Sequence, residues 1–388
     1  MKRNRAGEYV VTSGAGEKVE AFVPDPLPPR PPVNVDDSLR DRLDQAHLEI
    51  GRLDGISSLL PDIGLFLYMY IRKEAVLSSQ IEGTQSSLSD LLLFEMEGVP
   101  GVPMDDAREV SNYVAAMEHG LKRLREGFPL CNRLLCEIHG KLMGTGRGSQ
   151  KQPGEFRTSQ NWIGGSRPGN ARFVPPPPDR MVACLGAFEK FLNGEPGHAP
   201  TLIKAALAHV QFETIHPFLD GNGRVGRLLI PLLLCHEKVL GQPLLYPSLY
   251  FKQHRDTYYD LLQRVRLEGE WEAWVEFFAE AMRDTARQAV STATRLSAIV
   301  RADRDRAQGV KRRAGSILRL LDVMARVPIV SVARASRETG IVPSSVSAAL
   351  KNMAELGMVR ELTGWKRNRL FCYDRYLDVL SEGTEPLD

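Results

Sequence analysis

Apolar positions recur at helical spacing over most of this chain. In LRDRLDQAHLEIGRL, Leu39, Leu43 and Ile50 fall near one face, which predicts a helix early in residues 36–128. A second helix is expected from Asp62 through the apolar run 65–71 to Gln80. TLIKAALAHVQFETI carries Leu202, Ala206 and Val210 on one side, and LLIPLLLCHEKVL reads as a buried helix kinked or started near Pro231. Residues 270–310 read as another helix, whose apolar stripe opens with Trp271, Trp274, Phe277 and Phe278. The periodicity breaks over residues 154–178, where Gly164-Gly165, a Pro-Gly turn and four consecutive prolines stand. Short extended pieces at 161–163 and 172–174 predict a hairpin there.

The two ends differ from this helical middle. Residues 1–35 are Gly-rich and then Pro-rich, which predicts an extended arm over the surface rather than a core element. After residue 312, Ile317, Leu320, Leu321 and Met324 follow i, i+3, i+4, i+7 spacing. Ser331 is placed to cap a next helix that stops at Gly340, and Val346, Leu350 and Met353 mark a third that stops at Gly357. VREL, a polar turn and RLFCY then read as two strands and a wing. The expected division is 1–35 arm, 36–128 N-terminal helical region, 129–270 central region, 271–312 helical linker and 313–388 C-terminal module.

A length of 388 residues suits two or three domains. A net charge of +2 gives the whole chain no general pull toward nucleic acid, so any such pull is local. Five scattered cysteines without a CxxC pair point away from disulfides and a zinc site, toward a cytoplasmic protein. The basic N-terminus lacks the apolar stretch of a signal peptide. No run of 18 apolar residues exists, so no contact with a membrane is expected.

One segment, HPFLDGNGRVGR at 216–227, concentrates the chemistry. It joins two expected helices, and its second half opens the later one. A glycine-rich loop leading into a helix N-terminus presents free N–H groups and the positive end of the helix dipole to an anion. Gly221 and Gly223 let the backbone turn and approach a ligand closely. Arg224 and Arg227 are three apart and can fork onto phosphate oxygens. Asp220 is a hard oxygen donor suited to Mg2+, and His216 can take a proton near neutral pH. GNGRVG also fits the dinucleotide fingerprint, but that needs a preceding strand and here a helix is expected.

Residues 216–227 resemble the Fic (Fido) family motif H-P-F-x-[D/E]-G-N-G-R-x-x-R at every specified position. The resemblance implies a mainly α fold, a helical Fic core with a small β-hairpin flap, followed here by a winged helix-turn-helix. It implies AMP transfer from ATP to a Ser, Thr or Tyr hydroxyl of a protein target or of the chain itself. His216 would be the general base, Asp220 would carry Mg2+ (or Mn2+), and Gly221, Asn222, Gly223, Val225 and Gly226 would line the phosphates, with the Asn222 side chain helping. Arg224 and Arg227 would hold the β/γ end. Ser78-Ser79-Gln80-Ile81-Glu82-Gly83 matches the family's inhibitory pattern [S/T]-x-x-x-E-[G/N], which implies that Glu82 pairs with Arg227 in the γ-phosphate position. The same glutamate, turned toward AMP on a modified protein, could activate water and remove it. The 154–178 insert resembles the Fic flap, which would dock an extended target at Ile163, Gly164 and Gly165. Tyr258 and Tyr259 resemble adenine-side positions. Related proteins suggest a homodimer.

Residues 311–376 carry 13 Lys/Arg against 5 Asp/Glu. Ser344, Ser345 and Ser347 stand at the start of the third helix of this module, and Lys366, Arg367 and Arg369 at the wing tip. Those positions suit DNA backbone contacts, although winged helices also serve as protein-binding modules. Two other readings remain: a DNA-binding regulator whose Fic module senses nucleotide, and a transferase with another nucleotide donor.

Overall fold

The structure is a computed structural model and describes residues 5–14, 16–57, 63–95, 104–197, 199–310, 313–365 and 368–386. It opens with strands β1 (Gly7–Gly14) and β2 (Glu17–Pro24), followed by helices α1 (Asp37–Ser57), α2 (Ile63–Ile81), α3 (Leu88–Phe94), α4 (Met104–Arg125), α5 (Asn132–Leu142), α6 (Pro178–Leu192), α7 (Thr201–Ile215), α8 (Asn222–His236), α9 (Ser248–Gln253), α10 (Arg255–Glu268) and α11 (Trp271–Gln308). The C-terminal module holds α12 (Ala314–Arg326), β3 (Ile329–Ser331), α13 (Val332–Thr339), α14 (Pro343–Glu355), β4 (Arg360–Glu361), β5 (Leu370–Cys372) and α15 (Asp374–Ser381).

The N-terminal segment is not the extended arm its composition suggests. β1 and β2 form an antiparallel hairpin, Gly7 opposite Pro24 and Gly14 opposite Glu17. In β2, buried Val19 and Ala21 alternate with exposed Lys18 and Glu20, and Gly16 supplies the positive φ that the turn requires. Phe22 and Ala21 are fully buried, and Phe22 N–H donates to the Val174 carbonyl beyond the flap at 2.8 Å. The hairpin gains its order from that distant partner, which the local composition does not reveal.

The helical core forms around α7, whose residues are buried on every side. It packs between α6, α8, α10 and α11. The segment expected as a linker, 271–312, is mostly α11, a core helix of 38 residues. Its Trp274 is fully buried and donates its indole N–H to the Ala206 carbonyl at 2.8 Å. α1 lies along α11 with Leu39, Leu43, Ala46, Ile50 and Leu53 inward, and α2 packs on α4 and α9. The flap hairpin reduces to a single bridge, Ile163 with Phe173. Successive positive φ at Gly164 and Gly165 bends the chain away before a ladder can extend.

In the C-terminal module, α12, α13 and α14 pack on one another beside a three-stranded antiparallel sheet in the order β3-β5-β4. Ser331 caps α13 through its side chain, and Gly340 ends that helix in the left-handed region. α15 follows the sheet and returns to α11 and α2, burying Tyr376, Leu377, Val379 and Leu380. No helix among the described residues is long and apolar enough to cross a membrane.

Candidate functional site

α7 ends at His216, which adopts the left-handed region at φ 49°, ψ 60°. That is an uncommon conformation for a side chain other than glycine, and its surroundings hold it there. Arg157, almost fully buried, donates Nε to the His216 carbonyl at 2.9 Å and Nη2 to the Pro176 carbonyl at 2.6 Å. Its own N–H donates to the Pro217 carbonyl at 2.9 Å. The flap insert and the motif are thereby locked together. Asn161 adds a bond from Nδ2 to the Phe218 carbonyl at 3.1 Å. His139 stacks on Phe218 with ring centres 3.8 Å apart. It accepts Gly154 N–H at Nδ1 and donates from Nε2 to the Asp220 carbonyl at 3.1 Å. Arg157, Asn161 and His139 bear no motif signature; only their distances to the loop identify them.

The loop turns at Gly221 (φ 75°), which is the N-cap position of α8. A side chain there would press on Met143 Sδ at 2.9 Å. The Asn222 side chain turns back onto the loop. It is 2% exposed, and its amide both accepts from Phe218 N–H at 2.9 Å and donates to the Phe218 carbonyl at 2.8 Å. Asn222 clasps the loop shut. The first N–H groups of α8 remain for an anion, as at any helix start. Val225 and Gly226 face inward: Val225 is fully buried, and a methyl at Gly226 would lie 2.3 Å from Glu213 Oε1. They contribute backbone and packing to the site.

Arg227 is 1% exposed. Its Nε donates to Ser78 Oγ at 2.9 Å, and Nη2 donates to the Ser78 carbonyl at 2.9 Å and to Glu82 Oε1 at 2.6 Å. Glu82 follows the end of α2, and Gly83 turns the chain with φ 95°. A methyl built on Gly223 would lie 2.2 Å from Glu82 Oε1. The carboxylate therefore rests on the first turn of α8, where an anion would sit. Burial raises the Glu82 carboxyl, but Arg227 outweighs it and holds the group below its ordinary value. Arg227 in turn is held above its ordinary value: burial opposes this, and Glu82 beside it prevails.

Arg224 has a second carboxylate partner, Glu109 of α4, at 2.7 Å off the hydrogen-bond axis, both side chains being buried. Arg224 Nε and Nη1 lack hydrogen-bond acceptors, so this guanidinium has donors to spare for an oxyanion. Glu109 also pairs with Arg147 at 3.0 Å and accepts from Thr84, two residues beyond Glu82, at 3.3 Å.

Asp220 is the exposed carboxylate on the lip of the loop, its Oδ1 accepting Gly221 N–H at 2.6 Å. No cluster of three His, Cys, Asp or Glu among the described residues could hold a metal by itself. A magnesium ion commonly takes only one or two carboxylates and completes its shell with phosphates and water, so a single aspartate beside a phosphate cradle fits that ion. His216 Nδ1 has no hydrogen-bond partner. Burial first, then Arg266 and Arg157, lowers its pKa to about 3, so the imidazole is neutral and able to accept a proton.

Tyr258 is a core residue. It is 1% exposed and its hydroxyl donates to His209 Nε2 at 2.8 Å, while His209 Nδ1 donates to the Gly226 carbonyl. Its neighbour Tyr259, under Arg255, is half-buried. Ile163 is half-buried, and Gly164 and Gly165 are exposed at the flap tip. In the C-terminal module Ser344 and Ser345 are exposed, and Arg369 Nη2 donates to Ser347 Oγ at 3.2 Å. Lys366 and Arg367 lie outside the described residues.

Residues 129–234 match the model of the Fic/DOC family, and residues 40–122 match that of the Fic/DOC family N-terminal region. Protein adenylyltransferase Fic of Culex quinquefasciatus is 34% identical over 261 residues, covering 64% of this chain and 48% of that protein. The protein of the same name from Aedes aegypti is 35% identical over 210 residues, 53% of this chain and 39% of its own length. The chain thus spans about half or less of the relatives it matches. A crystal structure of a Fic family protein from Desulfovibrio desulfuricans shares the fold at a TM-score of 0.55 and 22% identity, over 88% of this chain and 97% of that one. Fic-1 from C. elegans does so at 0.50 and 22%, over 66% and 73%. Residues 40–122 and 129–234 thus carry the N-terminal region and the domain of the Fic/DOC family.

Proposed function

We propose that this chain is a protein adenylyltransferase held in check by Glu82. The observation that carries the reading is the carboxylate of Glu82 seated on the first turn of α8 and bonded to Arg227, because it marks an anion position beside a neutral histidine. In the active state the β and γ phosphates of ATP take that position. Arg224 and Arg227 fork onto them, and the N–H groups at the start of α8 receive the remaining oxygens. Asp220 would hold Mg2+, which supplies charge neutralisation to the polyphosphate when bound. His216 accepts the proton of a target hydroxyl as its oxygen bonds to the α-phosphorus. The bond from the α-phosphorus to the bridging oxygen breaks, pyrophosphate leaves, and the target carries AMP. The protein contributes positioning and charge stabilisation more than covalent chemistry.

The flap tip, Ile163 with Gly164 and Gly165, is the surface on which an extended target strand would be held. Its exposure and the anchoring of its base by Arg157 and Asn161 support that role. For the C-terminal module we propose a winged helix-turn-helix, which three packed helices and a three-stranded sheet support. DNA is its partner in this reading, supported by exposed Ser344 and Ser345 at the start of α14 and by Arg369, which donates to Ser347 on the same helix. A homodimer is carried forward from the family resemblance and cytoplasmic residence from the scattered cysteines, and light scattering tests the first.

The experiment for the activity is mass spectrometry of the purified protein after incubation with Mg·ATP and, separately, with the other nucleoside triphosphates. A gain of one AMP at a mapped hydroxyl, absent in His216→Ala, is expected. A gain of a different nucleotide, or the same gain in His216→Ala, would overturn the assignment.

A further inference from the structure

The inhibitory end of α2 is clamped from the far end of the chain. Gln80, two residues before Glu82, is 1% exposed, and both hydrogens of its side-chain amide are used. One goes to the Ser86 carbonyl at 3.0 Å, just past the Glu82-Gly83 turn, and one to the Thr384 carbonyl at 2.8 Å. Its oxygen accepts from Lys252 Nζ at 2.7 Å. Lys252, from α9, spends its other donors on the same distant segment, on the Gly383 carbonyl at 3.1 Å and on the Glu385 carbonyl. Three consecutive tail carbonyls, at 383, 384 and 385, thus close over one lysine and one glutamine beside the lock.

The tail is built for this seat. Gly383 has φ 82°, and a methyl there would lie 2.8 Å from Leu249 Cδ1, so a side chain is excluded by conformation and by space. Thr384 is 2% exposed. Glu382 makes two bonds to Arg295 of α11, at 2.7 and 2.5 Å. The segment follows directly on α15, so it is tied to the C-terminal module. The mechanism above uses none of Gln80, Lys252 or residues 382–386.

We propose that residues 382–386 form a latch on the inhibitory end of α2, so that the C-terminal module controls how firmly Glu82 is held. Seated, the latch completes the hydrogen bonds of Gln80 and Lys252 and fixes the turn that carries Glu82. Lifted, it leaves two buried polar side chains without those acceptors, and the turn loosens to make up for them. Any event that moves the module away from α2 would then raise transfer. This inference rests on Glu82 being the inhibitory group.

The test is Gly383→Val in the full chain, alone and combined with Glu82→Gly. AMP incorporation is measured together with hydrogen exchange of the amides at 78–86. With Glu82 present, Gly383→Val should raise incorporation by about tenfold, the effect of losing one such buried bond. In the Glu82→Gly background it should change nothing. Exchange at 78–86 should accelerate in Gly383→Val, and Lys252→Met should reproduce both effects. Unchanged exchange at 78–86 overturns the latch whatever the activity. Equal rises in both backgrounds overturn it as well, because the tail would then act elsewhere than through Glu82. If the Glu82→Gly protein transferred no nucleotide while exchange still accelerated, the transferase reading would fail and the latch would stand as a mechanical coupling.

Discussion

Replacing Glu82 probes the charged contact between the end of α2 and the first turn of α8. Arg227 donates to Glu82 Oε1 at 2.6 Å. At an effective dielectric near 20, two unit charges so placed attract by about 6 kcal/mol. The Glu82 side chain is 34% exposed, and water screens much of that. A net hold of about 1.5–3 kcal/mol, the usual range for a charged hydrogen bond, is the better figure. A nucleotide whose γ-phosphate needs the same guanidinium must displace the carboxylate against that hold. Glu82→Gly should therefore increase AMP incorporation by roughly 10- to 100-fold, at about 1.4 kcal/mol per decade. Glu82→Gln, which keeps the volume and loses the charge, should give a smaller part of the increase. Incorporation is measured with labelled ATP under initial-rate conditions, with titration of a non-hydrolysable ATP analogue in parallel. If both variants transfer AMP at the wild-type rate, the carboxylate does not restrain the enzyme and the inhibitory account is wrong.

Gly223→Ala places a methyl 2.2 Å from Glu82 Oε1, in the space that a phosphate must enter, so it should abolish transfer even in the Glu82→Gly background; restored activity in that double variant would contradict the phosphate cradle. Arg157→Met removes the buried donors to the His216, Pro176 and Ser159 carbonyls and should cost about 3 kcal/mol or more in chemical denaturation while nearly eliminating transfer. Glu74 is fully buried, with hydroxyl donors from Ser248 and Tyr113, and burial pushes its pKa up to about 8. Its folded pKa exceeds its unfolded one, so its stabilisation is complete at low pH and is lost as pH rises through 8; Glu74→Gln should lessen the fall in stability between pH 5 and 8, as measured by urea unfolding at several pH values. His216 titrates near 3 because it is buried, and in a folded state that disfavours its charge the base stays neutral. Transfer should thus show no acid limb near pH 6.5, the ordinary histidine value, and a clear one there would place the base elsewhere.

What could be read in advance followed from local chemistry. α7, the loop and the start of α8 lie where the apolar spacing and the glycines put them, since a chain that must turn with positive φ between two buried helices announces itself in sequence. Glu82 does meet Arg227, the pairing that the resemblance to a known pattern implied, and Ser78 joins them. The tasks of individual polar side chains were not readable. Asn222 and Tyr258 sit at motif-like positions, but the Phe218 backbone takes the one and His209, on another helix, takes the other. Arg157 and Glu109 look like ordinary surface charges in the sequence and become buried partners only through tertiary contact. The N-terminal strands were missed because glycine and proline dominate that stretch, while Val19 and Ala21 find their apolar partner far along the chain at Val174. α15 was missed for a like reason: a helix of eight residues has too little periodicity to stand out, and its burial against α11 and α2 is what secures it.

A crystal structure of the Glu82→Gly protein with Mg2+ and a non-hydrolysable ATP analogue tests the central claim most directly. The account expects the β and γ phosphates on Arg224, Arg227 and the first turn of α8, a metal ion on Asp220, and the α-phosphorus facing the His216 imidazole across the space for an incoming hydroxyl. An analogue bound elsewhere, or one whose α-phosphorus lies far from His216, would contradict it.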